Sequence, residues 1–204
     1  MRLTNYLTEE QDFQYIWGLL QKDCKPYIKQ IKNDLLYRGS YKSNPGIVKV
    51  TPRKDRRPMS IHPKVQEILD NFFNKKFGWK PRSTGVFCTG DFSQAGQYGT
   101  AAYSFWPIGP FKFLWHPEVS DLFESLWDIQ NSWGYWIDNP QILENFVKGY
   151  SDKNFQKAIQ SKHEIMVSCK KYYLVLDGYD GELIDNMSGG RPIDLKDTEW
   201  FNKK

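Results

Sequence analysis

The chain has no apolar run approaching the roughly 20 residues that a membrane-spanning helix needs. Its N-terminus, MRLTNYLTEEQDF, lacks the charged and then apolar layout of a secretory signal. Cysteine is scarce: Cys24, Cys88 and Cys169 are odd in number and far apart, which fits neither a disulfide framework nor a zinc knuckle. His62, His116 and His163 show no pairing at metal-ligand spacing, so no metal is expected. There is no phosphate loop of the G-x-x-x-x-G-K-[ST] type and no G-x-G-x-x-G after a strand. Repeats and low-complexity linkers are missing too. These absences argue against a membrane protein, a secreted disulfide scaffold and the familiar nucleotide-binding folds, and favour a reducing cytoplasm, the host's if the chain is phage-encoded.

What is present is aromatic. Phe, Trp and Tyr make up 16% of 204 residues, with eight tryptophans, enough to fill a sizeable core. The length suits one domain, 1–204, with a helical segment over 1–30. A net charge of +4 permits a phosphate-bearing partner without requiring one.

The stretch TEEQDFQYIWGLLQK starts with a capping-box pattern, Thr8 to Gln11, and continues with Phe13, Ile16, Trp17 and Leu20 at helical spacing. LLYRGSY and GIVKV read as short strands around a turn-rich link. A basic loop, TPRKDRRPMSIHP, leads into a helix with Val65, Ile68, Leu69, Phe72 and Phe73 on one face and Gly78 as its stop. GVFCT reads as a strand, DFSQAGQYG as a short helix capped by Asp91 or Ser93. YSFWPIG and FKFLWHP read as two strands around a tight turn at Gly109–Pro110. Leu122, Phe123, Leu126 and Trp127 mark a helix, and Asn139–Pro140 caps another. A late strand, IMVSCKKYYLVLD, precedes a polar tail. This order predicts an α+β fold rather than regular βαβ winding.

Three places carry candidate chemistry. Arg38 followed by Gly39 ends an apolar strand: a guanidinium grips phosphate oxygens bidentately, and glycine lets a ligand approach the backbone. Within RSTGVFCTGDFSQAGQYG, residues 82–99, a strand ends in Cys88, Thr89 and Gly90 and a helix brings Ala95 and Tyr98 alongside. A hydroxyl there can orient a carboxylate, and a tyrosine ring can wall a flat-ring pocket. Glu164, in QSKHEIMV, heads the late strand, where a charge is costly to bury. It is either the last wet residue before the sheet or a held carboxylate able to stabilise an oxocarbenium-like sugar cation. A fourth feature, Arg53, Lys54, Arg56 and Arg57 around Asp55, is either a solvated loop or a grip for phosphate.

The order of these features resembles the ADP-ribosyltransferase superfamily, in its arginine / Ser-Thr-Ser / glutamate branch. The resemblance implies a split β-sandwich with flanking helices, NAD as substrate, and transfer of ADP-ribose to a protein or nucleic-acid acceptor. It implies that Arg38 and Gly39 receive the NAD phosphate and that Tyr98 and Phe87 line the nicotinamide pocket. Thr89, with Ser83 as rival, would steady Glu164, which promotes cleavage of the nicotinamide–ribose bond. Cys88–Thr89–Gly90 fills the Ser-Thr-Ser place with one hydroxyl. Lys162 stands where arginine-modifying members carry Glu or Gln, which argues against arginine as acceptor. Residues 37–176 are also similar to uncharacterised tailed-phage proteins in RKDRRP, FWPIG and FKFLW. A chain that keeps the fold without activity, and a nucleic-acid-binding or host-inhibitory protein using loop 53–57, are the alternatives.

Overall fold

The computed structural model describes residues 9–42, 46–56, 61–133, 139–176 and 178–187. Arg57 of the basic loop lies outside these described residues.

The first helix, α1 (Glu9–Asp23), forms where the 3.6-residue spacing predicts it, and Phe13, Ile16, Trp17 and Leu20 are all buried. A single turn, α2 (Lys25–Ile28), follows with proline in its first turn. It buries Tyr27, whose hydroxyl accepts the Leu36 N–H at 3.1 Å. Leu36 in turn accepts from Phe105 N at 2.7 Å, so α2 fixes the entry into strand β1 (Tyr37–Ser40), which carries Arg38.

Strand β2 (Ile47–Val50) precedes α3 (Pro63–Phe77). Its cap is His62, which accepts from Lys64 N, and the helix ends at Gly78 in the left-handed region at φ 76°, as the sequence predicts. The turn α4 (Pro81–Thr84), strand β3 (Val86–Cys88) and helix α5 (Phe92–Gln97) come next, with Asp91 as the cap of α5. Helices α6 (Leu122–Trp133) and α7 (Pro140–Gly149) are amphipathic, and Asn139 caps α7 at 3.0 Å through Gln141 N.

Two regions differ from the sequence expectation. YSFWPIG and FKFLWHP form one continuous strand, β4 (Ala101–Trp115), not two strands around a turn. Gly109 adopts φ 69° and the ladder shifts register between Ile108 and Phe111. A bulge accepts the left-handed glycine and the missing N–H of Pro110 together, so the strand bends and resumes. The segment before Glu164 and the polar tail also hold helices: α8 (Phe155–Ser161) and α9 (Asp180–Met187). Phe155, Ala158 and Ile159 bury a one-turn apolar stripe too short to stand out in the sequence.

The sheet is antiparallel and built on a long ribbon of β4 and β5 (Ile165–Leu176), paired from Tyr103↔Leu176 to Trp115↔Ile165. The other edge of β5 takes β3 against 165–167 and β2 against 172–175, and β1 lies on the far edge of β4. An isolated bridge joins Tyr37 to Thr89, with N–H···O distances of 2.8 and 3.0 Å, and brings β1 to the end of β3.

Side-chain alternation divides the apolar residues of this ribbon between two cores. Phe113, Trp115, Ile165 and Val167 join α1, α2 and α8 in one; Leu114 and Met166 join α3, α6 and α7 in the other. That two-sided burial makes the late strand read as continuously apolar. The architecture is mixed helix and antiparallel sheet, the expected α+β class.

Candidate functional site

Helix α3 supplies the foundation. Gln66 and Asp70, one turn apart on the same face, are both buried polar residues. Asp70 Oδ1 accepts Arg82 N–H at 2.8 Å and Oδ2 accepts the Ser83 hydroxyl. Gln66 donates from Nε2 to the Arg56 carbonyl at 3.0 Å and to Ser83 Oγ at 3.3 Å, while Arg56 N–H donates to the Ser83 carbonyl at 2.9 Å. Burial raises the Asp70 pKa, and its bonds to Ser83 and to the Arg82 and Ser83 backbone oppose that rise. One polar pair on α3 thus holds the backbones of two arginines.

Both guanidiniums reach the Phe87 ring, Arg56 at 3.9 Å and Arg82 at 4.6 Å from its centroid. Arg38 arrives from β1 and donates from Nη1 to the Phe87 carbonyl at 3.0 Å. Phe87 pairs with Met166, and the same alternation brings Glu164, two residues earlier, to this face. Arg82 Nη1 donates to Glu164 Oε1 at 3.3 Å; the two side chains are only 4% and 14% exposed.

Burial pushes the Glu164 carboxyl up to about 7, against the attraction of Arg82 and Arg56 and with help from Asp121. Burial likewise brings Arg56 down to about 10, assisted by repulsion from Arg38 and Arg82 and opposed by Glu164. Arg38, Arg56, Arg82 and Glu164 therefore share one electrostatic neighbourhood. On its rim, Tyr98 donates to Asp121 Oδ2 at 3.2 Å, and Asp121 Oδ1 caps α6 by accepting Phe123 N and Glu124 N at 2.7 and 3.1 Å. Partial burial and Asp121 raise the Tyr98 pKa, and Glu164 adds to it.

The sequence-predicted residues fall into three groups. Arg38 reaches the Phe87 carbonyl, Glu164 reaches the Phe87 ring only through Arg82, and Tyr98 lies at the edge, half-exposed. Ser83 and Thr89 do not serve as expected, because neither hydroxyl is bonded to the Glu164 carboxylate. Ser83 is tied to Asp70 and Gln66. Thr89 Oγ1 lies 2.7 Å from the Lys162 carbonyl and 2.7 Å from Gln94 Oε1, with one proton for the two. It steadies the backbone two residues before the acid. Gly39 likewise serves packing: a Cβ there would lie 2.3 Å from the Ala95 carbonyl and 2.7 Å from Tyr98 C, so α5 fills the space expected for a ligand. In the basic loop, Arg53 and Lys54 face solvent while Arg56 turns inward.

Sequence reasoning missed Arg82, Asp70 and Asp121. One signal was available: Gln66 and Asp70 sit beside the apolar stripe of α3 at i, i+4, a buried polar pair that needs partners.

Comparison with family models, with curated proteins and with solved structures finds no match to this chain. Among the described residues, no group of three or more His, Cys, Asp and Glu side chains gathers as a metal-ligand set. No described helix is long and apolar enough to cross a membrane.

Proposed function

We propose that the chain cleaves NAD at the nicotinamide–ribose bond and passes ADP-ribose to a macromolecular acceptor, protein or nucleic acid, or to water. The observation that carries this reading is that Arg38, from the first strand, donates to the Phe87 carbonyl while Glu164, at the head of the last, pairs with Arg82, whose guanidinium rests on the Phe87 ring. The paired β3 and β2 along one edge of β5 support the narrower reading of the fold as an ADP-ribosyltransferase-like split sheet.

In this reading the guanidiniums receive the phosphates, and Glu164 faces the ribose. As the bond from ribose C1′ to the nicotinamide nitrogen breaks, its electron pair leaves with the neutral nicotinamide and positive charge develops on the ribose. An ionised Glu164 in a water-poor site stabilises that charge better than it stabilises the ground state. The acceptor's nucleophilic atom then bonds to C1′ and loses its proton to solvent. Tyr98 lies where a flat ring can pack.

The test is release of nicotinamide from labelled NAD by the purified chain. Glu164→Gln should lose at least about a hundred-fold in rate, the scale of one transition-state electrostatic contact, while remaining folded. Release undiminished by that substitution removes the assignment.

A second reading rests on the exposure of Arg53 and Lys54: a nucleic-acid binder that performs no chemistry. Its affinity for single-stranded oligonucleotide should fall linearly with log salt, be reduced by Arg53→Glu with Lys54→Glu, and be indifferent to Glu164→Gln.

A further inference from the structure

Among the described residues, two guanidinium nitrogens in the site are buried without a hydrogen-bond partner: Arg56 Nη1 and Arg82 Nε. Such groups are uncommon, because an unpaired buried donor loses its hydration with no return, and a charged donor loses more. The nearby carboxylates do not serve them. Asp70 uses its oxygens on Arg82 N–H and Ser83, Asp121 on α6 and Tyr98, and Glu164 meets Arg82 at Nη1 rather than Nε.

The two arginines are nevertheless held in place. The Gln66–Asp70 pair fixes their backbones, Arg82 is 4% exposed, and both guanidiniums rest on Phe87. Orienting two planar cations and leaving a donor bare on each is the arrangement that a multivalent oxyanion completes. The described backbone at 51–56, which carries Arg56, lies outside the helices and strands.

We propose that Arg56 and Arg82 form a diphosphate clamp over Phe87, with Arg38 as an outlying cation rather than the principal grip. The bare N–H of each arginine would donate to oxygens of the two phosphoryl groups, and Glu164 would stand beside the clamp toward the sugar. The proposal rests on the NAD reading only in naming a dinucleotide as the source of the diphosphate; the clamp itself recognises any diphosphate of that reach.

The experiment titrates the full-length chain with inorganic pyrophosphate by calorimetry, alongside its thermal melting. The wild type should bind saturably. Arg56→Gln should bind at least about ten-fold more weakly, the loss of one charged hydrogen bond. Arg82→Lys, which keeps a cation beside Glu164 but removes Nε–H, should weaken binding comparably, and it provides an independent arm if the first variant is unstable.

Absence of saturable binding, as when water fills both positions, overturns the clamp; so does wild-type affinity in both arginine variants. Arginine-dependent binding without nicotinamide release would keep the clamp and discard NAD cleavage. Nicotinamide release that pyrophosphate does not inhibit, with KM unchanged in Arg56→Gln, would keep NAD cleavage and discard the clamp.

Discussion

Glu164 and Arg82 form an ion pair at 3.3 Å in which burial outweighs attraction. The carboxyl rises from 4.5 to about 7 in spite of its partner. Removing two charges from water costs more than the partners recover when their geometry is single-pointed, and the second oxygen, Oε2, lies 3.5 Å from the same nitrogen.

The raised Glu164 pKa has a pH signature. The folded chain binds the Glu164 proton more tightly than the unfolded chain does. The group's stabilising contribution is therefore complete below about 4.5 and is lost as pH rises through about 7. The shift corresponds to about 3 kcal/mol. Between pH 5 and pH 8 the urea midpoint of the wild type should fall relative to that of Glu164→Gln, whose amide does not ionise. Parallel pH responses in the two proteins would mean that the acid is not held in a costly environment.

Ser83 should prove structural. Ser83→Ala leaves Asp70 Oδ2 and Gln66 Nε2 short of a partner and should lower stability by about 1–3 kcal/mol, measured by denaturant titration. At a temperature where both proteins are folded, nicotinamide release should stay within a few-fold of wild type. A hundred-fold loss of kcat in a folded variant would restore the serine to the role that the sequence suggests.

Thr89 holds the segment that leads into Glu164. Thr89→Val keeps the shape and deletes the bond to the Lys162 carbonyl, with an expected cost of about 1–2 kcal/mol. Because the anchored segment leads directly into Glu164, the midpoint of the pH–rate profile should move while Thr89→Ser restores it. A stability loss with an unmoved midpoint would leave Thr89 as a packing residue alone.

Gly39 has no room for a side chain. Gly39→Ala drives a Cβ into the backbone of Ala95 and Tyr98, and overpacking of this kind costs about 1–3 kcal/mol. Its thermal midpoint should drop, and the fluorescence of Tyr98 should change as its ring leaves Asp121. Wild-type melting would show that α5 is not seated on β1.

Much of the fold was legible because periodicity and caps are local. The stripe of α1, the Gly78 stop of α3, the Asn139 cap of α7 and the α+β order all follow from spacing and turn chemistry. In the sequence the β4 bulge reads as a turn because Gly109–Pro110 has the same composition in either setting; the pairing with β5 that decides between them is long-range. In the sequence, Arg38 stands out as an arginine followed by glycine at a strand end, and Glu164 as an acid at the head of an apolar strand. Arg82 was not, since nothing near it in the chain shows that Asp70 will hold its backbone or that Glu164 will face it. The assigned hydroxyls failed for the same reason: a serine or threonine in the right segment cannot be told from one whose proton is committed to a carbonyl or a different acid.

The rate of nicotinamide release as a function of pH tests the central claim most directly. If an ionised Glu164, buried beside Arg82 and Arg56, stabilises the ribosyl cation, kcat/KM should climb with a single ionisation near 7 and level off above it. The residual rate of Glu164→Gln should show no such step. A wild-type profile that is flat between pH 5 and 9, or the same step persisting in Glu164→Gln, would contradict the account.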